Sequence, residues 1–254
     1  MYFREVDLAD LREGLTSIRG KSEELMLKYT TRNYTNNKAA EFGRQGFLRR
    51  VQTLERCIEN VFVLLPPEMD EPPSRDVRHD AEISIQAFIL SVFGSLDNLA
   101  WLSVIEKAIT NPNGSPLKFS KIGIGPDDKI VLSAFSPEFR DYLIGLRPWF
   151  NNLKNFRDSL AHRIPLYIPP FIILNKDEST YRELERQISG ATLPRDLEKV
   201  DGLTAELNKL KKFIPVMQHS FIEESRQVVF HSQLIADFNT VHELGIKMFD
   251  ELNG

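Results

Sequence analysis

The chain has 254 residues, of which 42% are hydrophobic and 27% are charged. This composition is typical of a globular protein and excludes a disordered or collagen-like chain. The 32 basic and 36 acidic side chains give a net charge of −4, which excludes a surface that is basic throughout but allows a small local basic site. Cys57 is the only cysteine, so the chain can form neither an intrachain disulfide nor a cysteine-rich metal site. We expect a reducing, cytoplasmic location.

The sequence shows neither a signal peptide nor a clear membrane span. The N-terminal residues carry acids early and contain no apolar run, which does not fit a signal peptide. The most apolar segment, residues 83–102, is interrupted by serine, glutamine, aspartate and asparagine. We therefore predict a buried core helix rather than a membrane span, and we expect no membrane partner.

The first strong helical pattern covers residues 37–65. Apolar side chains recur there at steps of three and four residues, with charged side chains on the opposite side. The buried stripe consists of Phe47, Val51, Leu54, Ile58, Val61 and Leu65. The pattern ends at Pro66 and Pro67, and the proline-rich linker that follows can be neither helical nor a central strand.

A second helix is predicted over residues 76–110, and its apolar side chains cannot all share one face. Such a helix belongs at the centre of a bundle, with neighbours on most sides. The following segment, residues 111–129, is rich in turn-forming residues and is predicted to be a loop. Its Gly123-Ile124-Gly125 sequence lacks a third glycine, so it does not indicate dinucleotide binding.

Two shorter helices are predicted next. Ser136 and Pro137 form an N-cap and a first-turn proline, and they predict a helix that runs to about Leu146. Pro148 is expected to restart or kink it, and a second stretch continues to Leu160. Residues 166–174 should be extended and could include a short strand, and residues 175–201 should form a loop or a short helix.

The C-terminal region returns to helical periodicity in two stripes. The first contains Leu203, Leu207, Leu210, Ile214, Met217 and Phe221, with a kink expected at Pro215. The second contains Phe230, Leu234, Phe238, Val241, Leu244, Met248 and Leu252. The sequence thus predicts an all-α protein, a mostly antiparallel bundle of about five to seven helices. We expect one domain over residues 1–254, with a core at 37–170 and C-terminal helices at 203–252.

The five histidines do not indicate a metal site. His231 and His242 are separated by eleven residues, or about 16 Å along a helix, so one ion cannot bridge them. We predict that both are ordinary histidines at the surface or its boundary, and we expect no metal or cofactor.

One segment combines cations, amides, an acid and an imidazole in the sequence WFNNLKNFRDSLAHRIP. Arg157 and His162 form an Arg-x(4)-His motif, with the polar Asp158 directly after the arginine. Together with the apolar helix that precedes it, this motif resembles the HEPN superfamily of helical-bundle domains over roughly residues 37–170. Asparagine or histidine is more familiar in that family at the position of Asp158.

The resemblance implies an RNA-directed protein and suggests a metal-independent endoribonuclease of defence, toxin or stress-response character. It makes Arg157 and His162 the candidate catalytic residues, with Asp158, Asp97 and Asn155 supporting them. The histidine would move a proton, and the arginine would hold phosphate oxygens with paired hydrogen bonds. The implied partners are RNA or a nucleotide, a second copy of the chain, and a protein partner such as an antitoxin.

Helical geometry constrains this site. Five residues turn a helix by about 500°, or 140° net, so Arg157 and His162 should diverge on a regular helix. Asp158 and His162 are four residues apart and should share a face, which would let the carboxylate orient the imidazole. Either the helix loosens near Ala161, or a symmetric second copy supplies the missing group.

Two other interpretations remain open from sequence alone. In the first, a non-catalytic module of the same type binds a nucleotide or a protein. In the second, the chain is a helical scaffold in which Arg157 forms a buried ion pair with Asp97, His162 caps a helix and the asparagines bind loop carbonyls. An unpaired carboxylate in so apolar a helix would be costly, so Asp97 should pair with a cation. It would either form a structural ion pair with Arg157 or hold Arg157 in a functional site.

Overall fold

A computed structural model describes residues 2–192, 195–220 and 227–254. Over these residues the structure is 69% helical and contains only two short two-stranded sheets, which confirms the all-α prediction. The longer helices are α1 (Glu5–Thr31), α3 (Leu48–Leu64), α4 (Arg75–Glu106), α6 (Pro137–Gly145), α7 (Arg147–His162), α8 (Glu178–Ser189), α9 (Leu197–Leu210) and α10 (Phe230–Glu251). The short helices are α2 (Asn37–Ala40) and α5 (Lys129–Leu132), with 3-10 turns at Phe119–Lys121 and Asn175–Asp177.

Helix α4 is the centre of the bundle, as its apolar composition predicts. Ser74 caps its N-terminus by accepting a hydrogen bond from the Val77 amide, and α2, α3, α7 and α10 pack against it. It ends at Glu106, four residues before the predicted end, and Ala108 beyond it has a φ of 49°. Length and composition would let α4 cross a membrane, but a core helix meets the same criterion, and 56% of its most apolar window is buried.

The predicted helix over residues 37–65 is confirmed as one helical run with an internal change of pitch. Helix α2 passes into a π-helical segment, Glu41–Phe47, which continues into α3. Because π-helical turns hold an extra residue, this segment rotates the side chains before it relative to those of α3. Segments of this kind occur frequently at functional sites.

Helix α1 was not predicted, although its buried side chains follow a helical pattern. Leu8, Leu11, Ile18, Leu25 and Tyr29 all lie in the core. Many charged residues surround them, which makes the periodicity weak. The helix packs mainly along α10, so its burial depends on a segment about 200 residues away.

The close packing of α1 and α10 depends on Gly245. The Tyr29 hydroxyl donates a hydrogen bond to the Gly245 carbonyl at 2.7 Å. A Cβ atom at position 245 would lie only 2.8 Å from carbons of Leu25 and Phe47. Only glycine lets the backbone of α10 approach the core this closely.

Four two-residue strands form two small antiparallel sheets. Strand β1 (Ile172–Ile173) pairs with β2 (Lys211–Lys212), and β3 (Val216–Met217) pairs with β4 (Val228–Val229). The short strand considered for residues 166–174 is therefore confirmed at β1. For residues 175–201 a loop or a short helix was expected, and residues 178–189 form a helix.

The predicted helix through Ile214 and Met217 is wrong. Helix α9 ends at Leu210 and the chain becomes extended, because pairing with distant segments competes with the local helical pattern. The Phe213 amide bonds to the Asp70 carbonyl, and Pro215 has no amide hydrogen for a helix. Phe221, the last residue predicted for that stripe, lies outside the described residues.

The predicted surface position of His231 is also wrong. Its side chain is fully buried, and its ring contacts Phe3, Phe62 and Phe230. Its Nε2 lies 2.7 Å from the Leu65 carbonyl, so Nε2 must carry the proton and donate it. Burial lowers the pKa of His231 from 6.5 to about 4. His242, by contrast, is near the surface, 2.8 Å from Glu24.

We predict that His231 makes folding sensitive to acid. Because its pKa is lower in the folded state, stability is complete above pH 6.5 and is lost as the pH falls towards 4. The loss should be about 3 kcal/mol, from the two pKa values. Asp237 acts in the opposite direction, since burial raises its pKa to about 6. His231→Gln keeps a donor to Leu65 and cannot be protonated.

The measurement is chemical denaturation of the wild type and His231→Gln between pH 4 and 7. The difference between the two unfolding free energies should change by about 3 kcal/mol over this range. His79→Gln, at an exposed histidine, should give a curve close to that of the wild type. Parallel curves for the wild type and His231→Gln would contradict the prediction.

A buried ion pair joins the ends of three helices. Arg32, directly after α1, lies 2.9 Å from Glu106 at the end of α4, and their side chains are 4% and 5% exposed. Arg32 also donates to the Leu252 carbonyl beyond α10 and to Asn253. Glu106 in turn accepts hydrogen bonds from the amide and hydroxyl of Thr35. The pair thus fixes where these helices end relative to one another.

Removing one partner should be strongly destabilising, because a charged group then stays buried without a counter-charge. Glu106→Ala should lower the free energy of unfolding by about 3–5 kcal/mol. The control is Glu23→Ala, which breaks the exposed pair of Arg19 and Glu23 and should cost about 0.5 kcal/mol or less. Equal midpoints in urea for the two variants would contradict a stabilising role for the buried pair.

Candidate functional site

Helix α7 carries the candidate catalytic residues. Pro148 lies in its first turn, so this proline begins a helix and does not kink one. Leu153 and Ser159 are buried, and α7 packs against α4. The helix is continuous through His162, so the proposed loosening near Ala161 does not occur.

Arg157 lies between α7 and α4. Its guanidinium carbon is 4.3 Å from the centre of the Phe93 ring, and its Nε is 2.8 Å from Asp158 Oδ1. The angle at Nε is too poor for a hydrogen bond, and this buried Nε has no hydrogen-bond partner among the described residues. The side chain is still 34% exposed. Arg157 is therefore a cation held by an aromatic ring, with part of its surface open to solvent.

A second arginine, Arg50, belongs to α3, and its side chain packs against α4 next to Phe93. A Cβ atom at Gly94 would be 2.2 Å from the Arg50 guanidinium carbon, so the absence of a side chain at position 94 creates its space. Arg50 Nε donates to the Asn98 side chain at 3.2 Å. In the sequence, Arg50 belongs to the polar side of its helix, and no local signal separates it from Arg49.

Asp97 lies one helical turn beyond Phe93 and Gly94. It is exposed, so the interpretation that it forms a buried ion pair with Arg157 is wrong, and the described residues include no direct ion pair to it. The neighbouring helices nonetheless displace water from the Asp97 carboxylate, and this raises its pKa overall. The charges of Arg50 and Arg157 act in the opposite direction, which shows that both arginines are near. The structure thus supports the predicted proximity of Asp97 to Arg157, without direct pairing.

Asp158 and His162 are not joined in the structure. Asp158 lies against its neighbour Arg157, and no ion pair or hydrogen bond connects it to His162 within the described part of the chain. His162 is exposed in the last turn of α7. Since α7 is regular, Arg157 and His162 are about 140° apart around its axis, as helical geometry predicts. A single copy therefore does not bring the two together.

Asn155 faces a different feature, a cavity of about 400 Å³. Its described lining includes the amides of Asn152, Asn155, Gln227 and Gln233, and it includes neither Arg157 nor His162. Asn155 also accepts a hydrogen bond from Ser159 through its backbone carbonyl. The structure thus separates Asn155 from the other candidate residues.

The loop before α5 brings a further acid, Asp128, near Asp97. Asp128 accepts a hydrogen bond from the Gly125 amide at 2.8 Å, and Arg147 pairs with Asp127 at 2.9 Å. Burial raises the pKa of Asp128, and its charge acts on Asp97. The two arginines are thus accompanied by three acids, Asp97, Asp128 and Asp158.

Within the described residues, no group of three or more histidine, cysteine, aspartate or glutamate side chains is arranged to hold a metal ion. The polar groups that the site offers within one copy are two guanidiniums and carboxylates. Guanidiniums bind phosphate oxygens with directed hydrogen bonds, so the arrangement suits a phosphate-containing ligand. Comparison with known proteins adds no further constraint: no protein-family model, curated protein or solved structure matches this chain.

Gly94→Ala should displace Arg50 while leaving the fold intact, because the guanidinium lies at the end of a flexible side chain. In a binding titration monitored by fluorescence anisotropy, the variant should bind a labelled phosphodiester oligonucleotide more weakly than the wild type. The control is Gly20→Ala in α1, where a Cβ atom would meet nothing within 4 Å. That change should stabilise the protein by about 0.5–1 kcal/mol without altering binding. Unchanged binding by Gly94→Ala would remove Arg50 from the site.

Proposed function

We propose that the protein is an RNA-directed, HEPN-type, metal-independent endoribonuclease. The observation that carries the proposal is the placement of Arg157: a cation seated on Phe93, part-exposed, and five residues from an exposed histidine on one regular helix. Arg50, beside Gly94, adds a second guanidinium to the same stretch of α4.

In this proposal the arginines stabilise the charge that develops on phosphorus. Cleavage begins when the 2′-hydroxyl of the substrate attacks the adjacent phosphate, and the phosphorane that forms gains negative charge. Guanidiniums stay protonated at all relevant pH values, and each can donate parallel hydrogen bonds to two phosphate oxygens. Asp158 holds Arg157 in place, and Asp97 and Asp158 together reduce the excess positive charge, which favours a narrow range of substrates.

His162 is proposed to move protons. Imidazole titrates near neutral pH, so it can accept the proton of the 2′-hydroxyl or give one to the departing 5′-oxygen. Because His162 and Arg157 diverge on α7, we propose that a two-fold homodimer places the histidine of one copy next to the arginine of the other. The partner's histidine would then complete each site.

Single substitutions test the catalytic roles. His162→Ala and Arg157→Ala should each slow cleavage of single-stranded RNA by about 10²–10⁴-fold, the usual effect of losing a general acid–base or a charge-stabilising group. Asp158→Asn should have a smaller effect, since it only loosens Arg157. The measurement is product formation from labelled RNA with and without chelator, and the rate should not depend on chelator.

The products and two controls make the result specific. Attack by the 2′-hydroxyl requires products that end in a 2′,3′-cyclic phosphate. His79→Ala and Arg19→Ala, at exposed residues in the first half of α4 and on α1, should retain the wild-type rate. If the purified wild type cleaves no RNA from a mixed pool, or if His162→Ala cleaves as fast as the wild type, the catalytic proposal is wrong.

Mixing the two inactive variants tests the dimer. In a mixed dimer of Arg157→Ala and His162→Ala, one site has lost both groups and the other keeps an intact arginine and histidine. Random co-assembly should therefore restore roughly a quarter of the wild-type activity. Light scattering should show a dimer at the same concentration. A monomeric enzyme that is active, or a mixture that stays inactive, would contradict a site shared in this way.

The second candidate function is a non-catalytic module that binds a nucleotide or a protein. One observation favours it: Asp158 already lies 2.8 Å from Arg157 and offsets part of its charge. In that case oligonucleotides would bind with dependence on Arg50 and Arg157, but no RNA would be cleaved. Under either function we propose a cytoplasmic protein of defence, toxin or stress-response type, with an antitoxin as a further partner.

A further inference from the structure

Phe119 is an aromatic side chain in an unusual position. It is 81% exposed, in a 3-10 turn of sequence Phe-Ser-Lys that follows Lys118. Its ring centre lies 5.1 Å from that of Trp101 on α4. The exposed ring is thus fixed against a second aromatic residue on the rigid central helix.

A third ring extends this surface. Phe42 stacks on Trp101 with ring centres 5.4 Å apart and planes only 8° from parallel. Phe42 belongs to the π-helical segment, whose extra residue per turn sets the direction of its side chain. Both Phe42 and Trp101 are partly exposed. Phe42, Trp101 and Phe119 therefore form a row of three rings, which we call the aromatic platform.

Lysines surround the aromatic platform. The Lys38 ammonium lies 5.2 Å from the centre of the Trp101 ring, and the exposed Lys118 and Lys121 are adjacent or nearly adjacent to Phe119 in the chain. The charge of Lys121 also acts on Asp128, so the arginine site and the platform share the loop. Although the whole chain is acidic, this patch combines rings with cations, as single-strand nucleic-acid sites do.

The aromatic platform and the arginine site lie along the same side of α4. Phe93, Asp97 and Trp101 are spaced by four residues, which places them on successive turns of one face. From Phe93 to Trp101 the helix rises about 12 Å. One ligand could therefore contact the guanidiniums with its phosphates and the rings with its bases.

We propose that the aromatic platform binds single-stranded nucleic acid by stacking a base on the exposed Phe119 ring, next to Trp101, while the lysines contact its phosphates. The proposal rests on the proposed function only in identifying RNA as the physiological strand, which the platform would hold next to Arg157. Stacking requires a base but no 2′-hydroxyl, so single-stranded DNA should also bind. DNA cannot be cleaved by attack of a 2′-hydroxyl, and this separates binding from catalysis.

The test is fluorescence anisotropy with a labelled adenine-rich DNA oligonucleotide and the full chain. Phe119→Ala should weaken binding at least about fivefold, the lower end of the effect of one stacked base. Phe119→Tyr keeps an aromatic ring and should bind like the wild type. The control is Val63→Ala, because Val63 is 78% exposed but lies on α3, outside the aromatic platform. This variant should bind the oligonucleotide with the affinity of the wild type.

The lysines are tested through the salt dependence. Lys38→Ala should lower the slope of log affinity against log salt by about 0.7, the value for one phosphate contact on a single strand. Lys199→Ala, at an exposed lysine on α9, should leave the slope unchanged. An equal slope for Lys38→Ala and the wild type would remove Lys38 from the interface.

Tryptophan fluorescence locates the base. The chain has two tryptophans, Trp101 and Trp149, and only Trp101 belongs to the aromatic platform. Adding unlabelled DNA should quench the emission of the wild type. In Trp101→Phe the strand should still bind, but the quenching should disappear. Quenching that persists in this variant would place the base elsewhere.

Four results would separate this proposal from the proposed function or overturn it. If RNA is not cleaved but DNA binding depends on Phe119, the ribonuclease proposal fails and the platform stands. If RNA is cleaved but Phe119→Ala binds DNA as well as the wild type, the platform fails and the ribonuclease stands. Equal binding of an abasic strand of the same length would exclude stacking. Failure to bind any single strand would also overturn the proposal and favour a protein partner for the rings.

Discussion

Burial of α4 is the constraint on which the rest of the structure depends. A helix of 32 residues that is apolar on nearly every side must be covered on most of its surface, because exposed apolar area raises the free energy of the folded state. Helices α2, α3, α7 and α10 and the π-helical segment supply that cover, and α1 packs in turn on α3 and α10. The buried ion pair of Arg32 and Glu106 then joins the end of α1 to the end of α4 and to the segment after α10. It therefore fixes the ends of these helices relative to one another.

The candidate site lies where this cover is incomplete. Between Phe93 and Trp101, one face of α4 stays partly open, and polar or aromatic side chains from other elements line its edges instead of an apolar helix. Gly94 leaves space for the Arg50 side chain, and the Arg157 guanidinium packs on the Phe93 ring. Two further rings, Phe42 and Phe119, pack against Trp101. One gap in the packing of the central helix therefore joins the proposed phosphate contacts to the proposed base contacts.

Electrostatics limits what such a surface can bind. The chain has a net charge of −4, and Asp97, Asp128 and Asp158 lie among the arginines, so long-range attraction for polyanions is weak. Under the proposals made above, recognition comes from short-range contacts, namely directed hydrogen bonds from the guanidiniums and stacking on the rings. This balance fits a selective ligand better than a general affinity for nucleic acid.

Several helices could be predicted from the sequence because their signals are local. The stripe from Phe47 to Leu65, the cap at Ser136 and the pattern of α10 were predicted because helical periodicity and capping involve residues within a few positions of each other. The motif of Arg157 and His162, and their divergence on a regular helix, were also available from sequence. Four other features were not predictable in this way. Arg50 lies over Gly94, Asp97 is exposed, His231 is buried, and Val216 and Met217 are extended. These four outcomes depend on contacts between segments that are distant in the chain, and no local pattern specifies which distant segment will pack there.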